Sequence, residues 1–270
     1  YFPDCLKYGC TVGVYIGEIC RYIAKTKPSE NDILHPVRLM IGNGLRPDVW
    51  GDFVKRFGVV MGEFYGSTEG NANIFNTTGK IGAIGYLPWQ LRKIYPVKIV
   101  KFCQETETLI RNDKGLCQEC KTDEIGEAIG LIRDNDATRK FDGYTDNSAT
   151  QKKIATSVLT NGDKWFRTGD LLRMDSDGYV YFVDRIGDTF RWKGENVATT
   201  EVSEIVTKSS SILDTNVYGV SVPGADGRIG MAAIRLETNT ALDFSDLYRQ
   251  VNLDLPKYAR PHFLRILKTV

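Results

Sequence analysis

The sequence has no apolar run approaching the ~20 residues needed to span a bilayer as a helix. No charged-then-apolar signal segment is read at its start. Histidine is nearly absent, with only His35 and His262, which leaves little room for a Ser/His or Cys/His catalytic arrangement. Neither charge sign is in excess, at 35 basic and 34 acidic residues. No nucleic acid partner is therefore expected, because such binders carry a basic face. The six cysteines (Cys5, Cys10, Cys20, Cys103, Cys117 and Cys120) are scattered through a chain too long to need a disulfide framework. Cys117 and Cys120 form one C-x-x-C without a second pair or a nearby histidine, so two solvent-side thiols are expected rather than a zinc site. A reducing compartment fits this usage.

What is present is ordinary globular material. The chain has 270 residues, 42% of them hydrophobic and 26% charged, enough for one large or two unequal domains. Val12, Ile16, Ile19 and Ile23 recur at helical spacing, predicting a helix over about 11–25 with one buried face. Val37–Ile41 reads as a short strand ending at the Gly42-Asn43-Gly44 turn. Pro47 opens a helix with an apolar stripe of Trp50, Phe53, Val54 and Phe57, and Gly58 ends it. A strand at Val59–Met61 then runs into Tyr65–Gly70. This is a β-α-β unit, implying a parallel sheet, and the loops at the carboxyl ends of such strands are where open α/β sheets bind ligands.

From Gly79 to Asp184 the pattern changes to short strands and turns: Ile81–Tyr86, Val97–Phe102, Glu127–Ile132, Trp165–Thr168, Leu171–Met174 and Tyr179–Val183. Asp177-Gly178 signals a hairpin, and the polar stretch 133–153 reads as a surface loop. After Arg185, a helix near Thr199, strands at Asn216–Val222 and Met231–Leu236, and a helix at Phe244–Leu253 suit a small α+β domain. Tyr1 in place of Met, together with the unfinished apolar stretch Phe263–Leu267, leads us to expect a chain cut at both ends.

Three segments carry chemistry by residue type. Tyr65-Gly66-Ser67-Thr68-Glu69 offers an aromatic face, a tight turn, two hydroxyls and a carboxylate, which are groups that a nucleotide and Mg²⁺ require. A polar turn after a strand is the plainer alternative. Thr168-Gly169-Asp170 ends a predicted strand with an acid able to accept two ribose hydroxyls, or is a simple Asp-Gly type turn. In Asp184–Val197, Arg185 can make bidentate contacts to phosphate or ribose, Gly187 can act as a hinge, and Gly194 admits a close ligand. A charged interdomain linker reads equally well.

In order and spacing these motifs resemble the adenylate-forming superfamily. The wording of 15–22, 42–50, 63–71, 184–202 and 255–261 is similar to its fatty acid transport protein/very-long-chain acyl-CoA synthetase branch, over essentially the whole chain. The resemblance implies an α/β fold. Residues 1–184 would be part of a large AMP-binding domain, with a parallel βαβ layer over 1–79 and a β-barrel-like subdomain over 80–184. Residues 185–270 would be a small mobile α+β C-terminal domain. It implies that ATP, Mg²⁺ and CoA are used to turn a long- or very-long-chain fatty acid into acyl-CoA through an acyl-adenylate, coupled to fatty acid uptake. Gly42, Asn43, Gly44 and Tyr65 would flank the adenine, with Gly66 and Ser67 completing the nucleotide loop. Thr68 would bond the α-phosphate, Glu69 would hold Mg²⁺, Asp170 would bind the ribose and Arg185 the ribose or phosphate. Thr68, Glu69 and Arg185 would thus be the catalytic residues, Gly187 the hinge, and Lys193, Gly194 and Glu195 the CoA-side candidates. The acyl pocket would involve a helix near Val14–Gly17.

The branch's phosphate loop and its C-terminal lysine segment are not among the 270 residues, so adenylation by this chain alone is expected to be impaired. A non-catalytic truncated product, a mainly transport-directed protein and a bile-acid-CoA ligase are the rival expectations. The implied location is the cytosolic face of the endoplasmic reticulum, peroxisome or plasma membrane, anchored through the missing N-terminal part.

Overall fold

Between Val12 and Ile16 the side chains alternate, with Gly13 and Tyr15 buried and Val12, Val14 and Ile16 exposed. A period of two belongs to a strand, not a helix. In the computed structural model, which describes residues 1–69, 71–223 and 227–267, α1 (Phe2–Tyr8) is followed by β1 (Val12–Ile16) and α2 (Gly17–Ala24). The single helix expected over 11–25 is thus a strand and a shorter helix, and Val14–Gly17 is not helical apart from Gly17. The helical spacing was coincidental: Val12–Ile16 finds a parallel ladder with Leu39–Asn43, and backbone pairing outweighs a weak periodicity.

The first unit continues through α3 (Asn31–Leu34), β2 (Leu39–Asn43), α4 (Pro47–Phe57), β3 (Val60–Gly66) and β4 (Asn73–Asn76). Strands β1, β2 and β3 are parallel and β4 closes the row antiparallel. Helix α4 forms as the sequence dictates: Pro47 lies in its first turn, and Gly58 caps its end at φ 64°, a left-handed conformation that suits glycine. Its buried Trp50, Phe53 and Phe57 join Phe2, Tyr15, Met40 and Met61 in one core, with the Phe53 and Phe57 rings 4.6 Å apart. The opposite sheet face leaves Val14 78% exposed, with Ile16, Val60 and Phe75 also exposed.

Next come β5 (Gly85–Tyr86), β6 (Val97–Val100), β7 (Phe102–Cys103), β8 (Thr108–Leu109), β9 (Gly126–Leu131), α5 (Asn147–Lys152), β10 (Ile154–Thr156), β11 (Lys164–Met174) and β12 (Tyr179–Arg185). Five of these strands line up as β5-β12-β11-β9-β6, and β10 pairs with β11. The expected barrel-like subdomain is an open half-barrel sheet. The two strands predicted at 165–168 and 171–174 are one, β11, with a register shift between Arg167 and Leu171. The expected loop 133–153 contains α5, started by Asp146, whose side chain accepts from the Ser148 amide. Cys117, expected to face solvent, is buried beside Val100, Ile129 and Trp165; all six cysteines are free.

The second unit begins at Val183. It comprises β13 (Phe190–Trp192), β14 (Glu195–Val197), α6 (Thr199–Thr207), β15 (Ile212–Val220), β16 (Ile229–Leu236), α7 (Phe244–Asp254) and β17 (Phe263–Ile266). Strand β15 pairs antiparallel with β16, and β17 parallel with it. Among the described residues no helix is long and apolar enough to cross a membrane.

Phe53 has no accessible surface, so Phe53→Ala is expected to cost about 3–5 kcal/mol. Urea unfolding followed by circular dichroism checks this through a lowered midpoint.

Candidate functional site

The site is built where β1, β2 and β3 end. Gly42 and Glu63 are register partners across β2 and β3, and Tyr15 is the partner of Gly42 across β1 and β2. The turn after β2 is forced by Gly44 at φ 72°, and Asn43 and Gly44 are both exposed. Glu63 is 2% exposed. Its carboxylate accepts a short hydrogen bond from the Tyr15 hydroxyl and one of 3.2 Å from the Leu45 amide. Burial pushes the Glu63 carboxyl up to about 7, against the lowering effect of the Tyr15 hydroxyl and the Leu45 and Gly44 amides.

Strand β3 runs through Tyr65 and Gly66, so the first half of the motif is strand and only Ser67–Glu69 is turn. Gly70, the last residue of the expected loop, lies outside the described residues. The Tyr65 hydroxyl donates 2.7 Å to Asp170 Oδ2 in a buried bond spanning 105 positions. Asp170 sits on the irregularity of β11. There Gly169 takes φ 82°, the Thr168 hydroxyl donates to the Ala128 carbonyl at 2.8 Å, and the Asp170 amide donates to that hydroxyl at 3.0 Å. Buried Glu127 braces the same bulge from β9, accepting from Arg167 Nη2 at 2.7 Å and from the Gly169 amide at 3.3 Å. A bulge is a common way to re-aim a side chain at a site.

Beside this pair, Thr68 is exposed and Glu69 half-buried. The Tyr144 hydroxyl makes a short bond to Glu69 Oε1; burial first, then this bond, pushes the Tyr144 hydroxyl up to about 12. Among the described residues, Ser67 Oγ and both polar atoms of the Asn71 side chain are buried without a partner. Such orphans call for an explanation, and an unseen polar ligand or water is one.

In the second unit Arg185 ends β12 and is exposed. Asp184, by contrast, is buried and accepts from the Thr199 amide at 2.7 Å, the Thr200 hydroxyl at 3.1 Å and the Arg185 amide at 2.9 Å. It stands in for the side-chain cap that α6 lacks at Ala198. Gly187 takes φ 95°. Lys193 and Gly194, at φ 51° and 85°, form the two-residue turn of the β13–β14 hairpin. The stretch for which a charged linker was the alternative thus carries an ordered hairpin, with Glu195 opening its second strand. The Lys193 ammonium lies 5.3 Å from the centre of the Trp192 ring.

No family model matches the chain. Long-chain fatty acid transport protein 1 of Homo sapiens is 48% identical to it over all of this chain and 42% of its own length. Long-chain fatty acid transport protein 3 of Mus musculus is 44% identical over all of this chain and 40% of its own. The chain belongs to the long-chain fatty acid transport protein family. It spans about two fifths of the length of the curated relatives it matches.

Solved structures share the fold of this fatty acid transport protein homologue. An o-succinylbenzoate CoA synthetase from Bacillus subtilis, in complex with its acyl-adenylate, aligns at a TM-score of 0.73 and 19% identity, covering all of this chain and 51% of that one. The anthranilate CoA ligase AuaEII aligns at 0.74 and 17%, covering 99% and 48%.

Of the sequence candidates, the structure brings Tyr65 to Asp170 and sets the Gly42–Gly44 turn beside β3. Arg185, Gly187 and Lys193–Glu195 lie in the other unit. Reasoning from sequence assigned no role to Tyr15, Glu63, Glu127, Tyr144 or Asp184. Tyr15, Glu63 and Asp184 lay inside segments that carried the resemblance, but without a role of their own, and neither Glu127 nor Tyr144 lay in one.

Two outcomes follow from these buried acids. Asp184→Ala is expected to cost about 1–3 kcal/mol by leaving buried donors unmet, measurable by thermal unfolding against Asp184→Asn. The raised Glu63 carboxyl means that the folded chain holds a proton that the unfolded chain has released, so stability falls as pH rises from about 4.5 to about 7. Glu63→Gln should flatten that part of the stability–pH curve; an unchanged slope would refute the assignment.

Proposed function

We propose that this chain carries the nucleotide-binding part of an ATP-dependent, AMP-forming ligase that turns long- or very-long-chain fatty acids into acyl-CoA. The observation that carries the reading is the buried bond between Tyr65 and Asp170, which joins two motifs 105 residues apart. The acid substrate is inferred from the relatives' name, long-chain fatty acid transport protein. The two-step chemistry is supported by the acyl-adenylate complex among the structures of like fold.

In this reading Asp170 accepts the ribose hydroxyls, and the Gly42–Asn43–Gly44 turn with the Tyr65 ring flanks the adenine. Gly66 and Ser67 bring the turn close to the phosphates, where the unpartnered Ser67 hydroxyl fits an anionic ligand. Thr68 donates to the α-phosphate. Glu69 is the residue that would hold Mg²⁺. The ion supplies charge neutralisation on the phosphates. Tyr144, donating to one Glu69 oxygen, orients that carboxylate.

A fatty carboxylate oxygen attacks the α-phosphorus, and the bond to pyrophosphate breaks. The CoA sulfur then attacks the acyl carbon of the adenylate, the thiol proton passes to solvent, and AMP leaves. No side-chain nucleophile takes part; the chain contributes position and charge. Arg185 would contact the ribose or phosphate, and Gly187 would be the hinge. Lys193, Gly194 and Glu195, at the hairpin tip, meet CoA in the second step. We place the family-length protein at the cytosolic face of a membrane on the strength of the relatives' transport name.

Asp170→Ala is expected to weaken a non-hydrolysable acyl-AMP mimic by roughly 5- to 150-fold, the loss of two hydrogen bonds. Isothermal titration checks this, and a folded chain that binds the mimic equally well with alanine there would sink the reading.

A further inference from the structure

Glu63 stands in a row of three register partners, Tyr15–Gly42–Glu63, across β1, β2 and β3. The middle position has no side chain, and that lets the tyrosine cross it. A Cβ at Gly42 would lie 2.6 Å from the Tyr15 ring and 2.1 Å from the Tyr15 carbonyl oxygen. The ring spans β2, and its hydroxyl meets both Glu63 and the Gly62 carbonyl at 3.2 Å. From the other side the Leu45 amide donates to Glu63 Oε1, and the Gly44 amide adds to the same carboxylate. Both partners are deeply buried, Glu63 at 2% and Tyr15 at 3% exposure. An apolar residue would fill this space without the cost of burying an acid. A carboxylate is worth that cost only where it holds something, and here it holds the two amides of the turn.

We propose that Glu63, braced by Tyr15, is the positioning residue that clamps the Gly42–Leu45 turn and thereby sets one wall of the nucleotide crevice. The proposal rests on the nucleotide reading given above. Gly17 reinforces the clamp from α2, since a Cβ there would lie 1.7 Å from the Gly44 carbonyl oxygen; the turn is held against the start of α2 on one side and against Glu63 on the other. The titratable groups facing the carboxylate are Tyr15 from β1 and Cys20 from α2. With its carboxyl pushed up to about 7, Glu63 grips the two amides as a full acceptor above neutrality and more weakly below it.

The test combines hydrogen–deuterium exchange of the segment 42–46 with titration of the non-hydrolysable acyl-AMP mimic, on the whole chain between pH 6 and 8. Glu63→Ala is expected to speed exchange at Gly44 and Leu45 by about tenfold and to raise the mimic's Kd by about tenfold, the equivalent of one hydrogen bond. Glu63→Gln keeps an acceptor oxygen, so it should restore most of both while abolishing their pH dependence. A merely space-filling role would not give that rescue with a lost pH profile. Should the alanine variant fail to fold, Tyr15→Phe decides: it must move exchange and Kd in the same direction by a few-fold, and no change in either overturns the proposal. Unchanged exchange in Glu63→Ala overturns it, as does faster exchange with an unchanged Kd. Asp170→Ala, run alongside, separates the two readings: if it leaves mimic binding intact while Glu63→Ala does not, the ribose assignment fails and the clamp stands. A folded wild-type chain that binds no mimic ends both.

Discussion

The bond from the Tyr65 hydroxyl to the Asp170 carboxylate ties the end of a parallel strand to the bulge of an antiparallel one. Nothing in local sequence would bring these groups together, and the rest of the first unit's site is arranged around them. The bulge exists because Gly169 takes a left-handed conformation and Glu127 braces Arg167 and the Gly169 amide from the neighbouring strand. With Asp170 so aimed, the motif that begins at Tyr65 has a fixed partner, and the turn carrying Ser67, Thr68 and Glu69 projects from the same strand end. In the proposed reading, the substrates supply the reacting groups and this arrangement contributes geometry.

The second constraint is steric. Where β1, β2 and α2 converge, Gly17 and Gly42 leave no space for a side chain. Backbone approaches this close are what glycine permits, and they let Tyr15 cross over β2 to a buried acid. One carboxylate with a hydroxyl and two amides then sets the shape of an exposed turn. The cost of burying Glu63 appears as its raised proton affinity, so the order of the turn and the pH of the medium are coupled through one group.

The second unit solves a similar problem with Asp184. Helix α6 starts at Ala198, which offers no cap, and Asp184 supplies the acceptor from the preceding strand. The residue beside it, Arg185, is exposed at the strand end, so structural anchor and candidate ligand contact alternate along one strand, as the pleat requires. Gly187 follows two residues later, free of nearby side chains, at a point where the chain can turn.

Much of this was legible in the sequence. Pro47 and Gly58 bounded a helix because one presets φ and the other accepts a left-handed cap. Asp177-Gly178 marked a hairpin, and the ordered motifs Tyr65–Glu69, Thr168–Asp170 and Asp184–Val197 carried the family resemblance, because chemistry by residue type survives without coordinates. The strand at Val12–Ile16 was not legible, since its apolar spacing satisfied a helical template and only the ladder with Leu39–Asn43 decided between them. The burial of Cys117, the hairpin at Phe190–Val197 and the single bulged β11 were likewise decided by pairing partners far along the chain. Glu63 stood in a quoted motif without a role, because its hydroxyl partner lies 48 residues away on a different strand. Sequence alone determined which groups are available and in what order. Tertiary structure decided which of them meet, because hydrogen bonds and burial depend on distances that close only when non-neighbouring strands lie side by side.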